Sequence, residues 1–253
     1  YQAHKSAPDQ SKLDRLRKLA YGDVRIRCIG VWDTVGNLGI PLIGDHRWNR
    51  AAAFHDTDLL PIVDVALQAL AIDEPRGPFS PSLWTRRKGA RALPGQRVEQ
   101  VWFPGSHANV GGGFAESSLS DIALRWMAER AMDTTGVAFD LARLEAMTAP
   151  DPLGELVSPT SDGIYRVSRV LPFIRLVHQS KAGISPLRRA FLGTWRTSLL
   201  ADGTETINES IHASALARLG QFAPCGLGGQ ERRELYPPRQ LEKMLARGMR
   251  TGA

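Results

Sequence analysis

Cysteine is scarce in this 253-residue chain: Cys28 and Cys225 are the two present. So few rule out a disulfide framework, and a cysteine zinc site would need further ligands. The two lie far apart, one inside an apparent strand, so both are expected as free, buried thiols. No stretch approaches eighteen uninterrupted apolar residues, the length a membrane-spanning helix requires. The start, Tyr1-Gln2-Ala3-His4-Lys5, is neither an initiator Met nor a charged-then-apolar leader, so the natural N-terminus is expected upstream. There is no internal repeat or low-complexity tract, and the single Trp32-Asp33 dipeptide does not make a propeller, which would need it to recur. The triple glycine Gly111–Gly113 is not followed by Lys-Ser/Thr as in a P-loop, so tight turning accounts for it better than phosphate binding.

What is present suits a globular protein. Hydrophobic residues make up 43%, enough for one sizeable core. The net charge is +6, and arginine greatly outnumbers lysine. These charges are dispersed rather than gathered in a block, so nucleic acid is not an expected partner.

The pattern along the chain predicts a short amphipathic helix carrying Leu13, Leu16 and Leu19 and ending near Gly22. A strand follows over Val24–Trp32, passing from alternation into a continuous apolar run and broken at Asp33-Thr34-Val35-Gly36. Residues 36–50 read as a loop. His55-Asp56-Thr57-Asp58 supplies caps for a helix over about 59–72, with Val63, Leu67 and Leu70 on one face. After an irregular stretch over 73–97, a second strand, Val98–Phe103, stops at Pro104-Gly105 and leads into a tight turn through Ser106-His107-Ala108-Asn109. Ser118 or Ser120 then caps a helix through about Met132, with Ile122, Ala123 and Trp126 facing inward. Short helices are expected near 140–147 and 208–219. This order of strand, loop and helix is that of a parallel α/β sheet.

In open parallel sheets, reactive groups collect just past the carboxyl ends of strands. Asp33 and His107 occupy two such ends, in the chain order of acid before base found in α/β-hydrolases. An imidazole titrates near neutrality and can take a proton from a serine hydroxyl during attack. A carboxylate fixes its tautomer and stabilises the imidazolium that forms. Each residue also has a plainer reading: an Asp opening a turn satisfies backbone donors, and a His in a glycine-rich loop is often just a polar surface residue.

Three ordered blocks sharpen this. Ile29-Gly30-Val31-Trp32-Asp33-Thr34-Val35-Gly36, Ala66–Glu74, and Val101-Trp102-Phe103-Pro104-Gly105-Ser106-His107-Ala108-Asn109-Val110-Gly111-Gly112-Gly113, with the trailing Leu119–Met127, resemble the uncharacterised α/β-hydrolase-domain family that includes the type VI secretion phospholipase effectors. The resemblance implies that Asp33 is the triad acid and His107 the base. It also implies a serine esterase or lipase, a lipid or other ester substrate, transient contact with a membrane surface, and a secretion-system or immunity partner. It implies no cofactor and no metal, and a path from the bacterial cytoplasm to the periplasm or membrane of a target cell. The family commonly has Asp two residues after the His; here it is Asn109, read as a structural side chain of the turn.

The family's nucleophile, in a Gly-Phe-Ser-Arg-Gly-Ala elbow upstream of the acid, has no counterpart here. Ser106 adjoins His107 but lacks such an elbow. The expectation is therefore the C-terminal portion of an α/β-hydrolase-like parallel sheet with flanking helices: residues 1–136 the incomplete catalytic domain, 137–253 a mostly helical, irregular or lid-like extension of it. Asp33 and His107 should meet across neighbouring strand ends, and the fragment alone should be inactive. A non-catalytic binding or scaffolding module that lacks the nucleophile is the alternative. A metal-dependent phosphohydrolase using His55 and Asp56 is a more distant one. His178 and His212 are read as structural, and Ile164–Val177 as either a helix over the core or a lid touching lipid.

Overall fold

The computed structural model describes residues 9–19, 22, 24–35, 59–157, 204–227, 230–236, 245 and 250–251, apart from 75, 77, 78, 80 and 88. Helix α1 (Gln10–Leu19) opens the chain, its first turn capped by the Asp9 carboxylate, which accepts from the Ser11 N–H. Leu16 and Leu19 on it stay exposed.

The central sheet is parallel throughout, in the order β1-β2-β4-β7-β10. Its strands are β1 (Ile26–Trp32), β2 (Val63–Ala71), β4 (Arg97–Phe103), β7 (Glu209–Ile211) and β10 (Arg250–Thr251). Strand β3 (Thr85–Arg87) pairs antiparallel with β6 (Thr204–Thr206), while β5 (Leu156–Val157), β8 (Phe222–Leu227) and β9 (Gln230–Leu235) make a small sheet of their own.

Strand β2 overturns the helix expected over 59–72. Its burial is nearly complete along both faces, so the alternation that marks a strand is lost. The spacing of Val63, Leu67 and Leu70 then imitates a helical stripe, an ambiguity that periodicity alone does not resolve for a short apolar run. The capping residues assigned to that helix, from His55 to Asp58, lie outside the described residues, as do His178 and Ile164–Val177.

One face of the sheet is covered by α3 (Ser118–Thr135), which presents Leu119, Ile122, Ala123, Trp126 and Met127 to Val65, Leu67, Ala69, Val101 and Phe103. Trp126 meets Phe103 edge-on at 5.4 Å, a favoured aromatic geometry. Gly30 on β1 lets Met127 close in, since a Cβ there would lie 2.8 Å from its sulfur. Helix α3 ends at Gly136, left-handed at φ +74, whose N–H donates to the Met132 carbonyl.

The opposite face packs Leu70, Ile72, Leu83, Trp102, Ile211, Ala215 and Tyr236 together. Two buried glutamines tie this layer down: Gln100 accepts from Trp84 N–H and donates to the carbonyls of Trp84 and Ile207, and Gln68 donates to the Ser82 carbonyl. The helix expected near 140–147 is α4 (Leu141–Met147), capped by Asp140. That expected over 208–219 shrinks to α5 (Ala213–Arg218), because the residues before it form β7 and extend the main sheet beside β4. Neither Cys28 nor Cys225 forms a disulfide among the described residues, and both are half-buried.

Candidate active site

Asp33 follows β1 directly, and its backbone continues the β1–β2 ladder by one rung, its N–H donating to the Ala69 carbonyl at 2.7 Å. Its φ of +42 is left-handed, a conformation Asp tolerates better than most residues with a Cβ. The turn aims the side chain across the end of β2, where it is fully buried. Oδ1 accepts the Ala71 N–H at 2.9 Å, and Oδ2 lies 2.6 Å from His107 Nδ1. The carboxylate thus performs both tasks considered for it: it satisfies a backbone donor and holds an imidazole. The two residues do not stand on adjacent strands as expected, because β2 lies between β1 and β4. The Asp33 side chain spans that gap.

His107 begins a five-residue helix, α2 (His107–Gly111), where a tight turn was expected. Ser106 is its N-cap residue, and Asn109 at the third helical position reaches back to accept the Ser106 N–H at 3.2 Å, half of a capping box. That bond closes over the first turn of the helix. Gly105, at φ +118, is required there: a Cβ would sit 2.5 Å from that of Asn109.

Asn109, read as a turn side chain that amide or acid would serve equally, is held in this structure by bonds that use both ends of its amide. Its Oδ1 also accepts from the Val157 N–H, and its Nδ2 donates to the Glu155 carbonyl at 3.1 Å. The last bond needs an amide, since an ionised carboxylate has nothing to donate. Ser106 is equally committed, its Oγ donating to the Val157 carbonyl at 2.9 Å, and it is buried beneath the helix start. It is not placed to act as a nucleophile.

Three residues to which the sequence reading assigned no role complete the surroundings of His107. Glu74, fully buried, accepts the His107 backbone N–H at 3.1 Å and is held by Arg76 through bonds of 2.7 and 3.0 Å. Phe79 meets the imidazole edge-on at 5.3 Å, and the Arg76 guanidinium lies 3.6 Å over the Phe79 ring. Glu74 lay within one of the quoted blocks, yet nothing in its spacing from His107 marked a contact that only the β2 and β4 ends create. The imidazole is 31% exposed while Asp33 is sealed, so a half-open ring presents its Nδ1 to a buried carboxylate.

His212, by contrast, is a structural histidine. It caps α5 through its bond to Ser214 N–H and stacks on Phe103 at 4.5 Å. Burial pulls its pKa down to about 4, so it is neutral at pH 7. Among the described residues no group of three or more His, Cys, Asp or Glu side chains could hold a metal ion. None of the described helices is long and apolar enough to cross a membrane. The proposed metal residues His55 and Asp56 lie outside the described residues.

Comparison with known proteins places this geometry in context. The model of the family described as T6SS, phospholipase effector Tle1-like, catalytic domain, matches residues 2–130. That range holds β1 to β4, both halves of the Asp33–His107 pair and most of α3. No curated protein matches the chain. Among solved structures, the crystal structure of an uncharacterized protein from Pseudomonas aeruginosa is similar, with 24% identity and a TM-score of 0.35. The similarity covers 49% of this chain and 21% of that one, so this chain matches about a fifth of that protein's length.

Proposed function

Since this chain belongs to the type VI secretion, Tle1-like phospholipase effector catalytic-domain family, we propose that Asp33 and His107 are the acid and base of a serine esterase whose nucleophile lies outside these 253 residues. The observation that carries this reading is the 2.6 Å contact of a sealed carboxylate with the Nδ1 of a half-open imidazole. Asp33 holds the proton on Nδ1, which leaves the Nε2 lone pair to accept one.

With a serine at Nε2, the reaction runs in two halves. His107 takes the hydroxyl proton as the oxygen adds to the ester carbonyl, and the tetrahedral intermediate collapses when His107 returns that proton to the departing alcohol. Water then adds to the acyl-serine, again giving its proton to His107, and collapse releases the acid and restores the serine. Throughout, the Asp33 carboxylate stabilises the imidazolium without itself taking the proton. Carboxylic esters are the substrate class, phospholipids foremost among them. Export to a target cell, contact with its membrane and an immunity partner follow from the same family reading. The chain by itself should be inactive, since it carries no nucleophile elbow; that Ser106, the serine next to His107, bonds to the Val157 carbonyl supports this reading.

The test is to express the longer reading frame upstream of Tyr1 and label it with a fluorophosphonate probe. Labelling at a serine in a Gly-x-Ser-x-Gly elbow, lost in His107→Ala, is the expected result. An unlabelled protein with no such elbow would sink the proposal and favour a non-catalytic module of hydrolase fold.

A further inference from the structure

The described residues beyond the family match reach the base-bearing loop by two routes, one direct and one through Asp73. Arg218, on α5, is 1% exposed. Its Nη1 donates to the carbonyls of Pro152 and Gly154, both at 2.7 Å, and its Nη2 to that of Pro224 at 3.3 Å. Stripping water from a guanidinium to hold three neutral carbonyls is costly. What those bonds fix is the course of residues 152–157. From that segment the Glu155 carbonyl and the Val157 N–H grip Asn109, and the Val157 carbonyl grips Ser106. Residues 106 and 109 bracket His107.

Tyr236, which follows β9, reaches the other side. Its hydroxyl donates to Asp73 Oδ2 at 2.9 Å, and the same oxygen accepts the Gly105 N–H at 2.7 Å. Asp73 also donates its backbone N–H to the Gly105 carbonyl. Its ring is buried beneath the Arg218 guanidinium, 5.1 Å from ring centre to Cζ. The two side chains therefore form one unit with two arms, one ending at Gly105 and the other at Asn109.

We propose that Arg218 and Tyr236 are positioning residues for His107, holding the 105–109 loop so that Nδ1 stays on the Asp33 carboxylate; this rests on His107 being the base. The brace does not touch substrate. It acts by keeping a short helix from pivoting about Gly105, and misplacing a reacting group by about 1 Å is enough to lower turnover roughly a hundredfold.

Tyr236→Phe removes the hydroxyl and leaves the ring, while Arg218→Lys and Arg218→Met remove part or all of the other arm. In the 253-residue chain, long-range proton–nitrogen NMR of His107 reads the Nδ1–H held by Asp33. The signal should broaden or vanish in Tyr236→Phe and Arg218→Met, with Arg218→Lys intermediate. In the longer protein, with p-nitrophenyl butyrate as probe, kcat should fall about tenfold in Tyr236→Phe with KM unchanged.

Variants that lose only thermal stability, keeping the His107 signal and kcat, would overturn the brace. Should Arg218→Met fail to fold, Tyr236→Phe still decides the matter. His107→Ala separates the two readings: if it retains full activity the base assignment fails, and if it is inactive while Tyr236→Phe behaves as wild type, only the brace fails.

Discussion

Replacing Asp33 by Asn isolates what the carboxylate does, because the amide is nearly the same size and Asn also tolerates the φ of +42 at this position. Two partners constrain the new side chain. The Ala71 N–H, now accepted at 2.9 Å, requires an oxygen, since an NH2 there would set donor against donor. The amide nitrogen is therefore turned toward His107, where Oδ2 stood 2.6 Å from Nδ1. Facing a donor, Nδ1 must become the acceptor, and the imidazole proton moves to Nε2. A hydrogen bond to a charged group contributes about 1.5–3 kcal/mol, so the carboxylate biases the tautomer roughly ten- to a hundredfold toward Nδ1–H. The substitution should reverse that bias and cost about 1–2 kcal/mol of stability. The assay is nitrogen NMR of the imidazoles, with His107→Gln identifying the His107 signals among the six histidines. Wild type should show a proton-free Nε2, and Asp33→Asn a proton-free Nδ1. In the longer protein the same change should lower kcat on the order of ten-thousandfold. An unchanged tautomer would refute the reasoning, because the contact would then not be setting the state of the ring.

Three further outcomes follow from the packing. Asn109→Ala, which orphans the buried N–H groups of Ser106 and Val157, should lower unfolding stability by about 2–4 kcal/mol, and Asn109→Asp by less at acid pH, where a protonated carboxyl can both accept from those groups and donate to the Glu155 carbonyl; urea titration ranks the two. Trp126→Ala, which empties the space between α3 and Phe103, should cost about 3–5 kcal/mol. Trp126→Phe should cost far less, because it also removes an indole N–H that is buried without a partner among the described residues. His212 gives a pH dependence. Burial lowers its pKa from 6.5 to about 4, so the unfolded chain takes up the proton first and stability falls as pH drops through that window, by up to about 3 kcal/mol. The stability difference between wild type and His212→Asn, which keeps a helix cap, should shrink accordingly between pH 7 and 4; a flat difference would mean the ring is not desolvated.

The strands bearing Asp33 and His107 were legible because each ends in a sharp change of residue type: Val31-Trp32 gives way to Asp33-Thr34, and Trp102-Phe103 to Pro104-Gly105. Strand β2 was not, because a strand buried on both faces carries no alternation and its apolar spacing fits a helix equally well. The same burial hid how the site is assembled. With a helix read at 59–72, no strand separated the two ends, and nothing suggested that Asp33 would have to reach across the tip of β2. The α2 helix was missed because its capping bond comes from Asn109, which reads in the sequence as a structural side chain of a turn rather than as a helix cap.

The chain order of Asp33 and His107 and their places after two strands are local properties, and the sequence alone determined them. Local bonding rules act over a few residues, and side-chain types follow from them. The tertiary structure decided the partners that lie 33 to 163 positions apart: Glu74 on the His107 backbone, and Tyr236 on Asp73. Those contacts depend on strand order and on where the chain returns after β7. No periodicity within a short window carries that information.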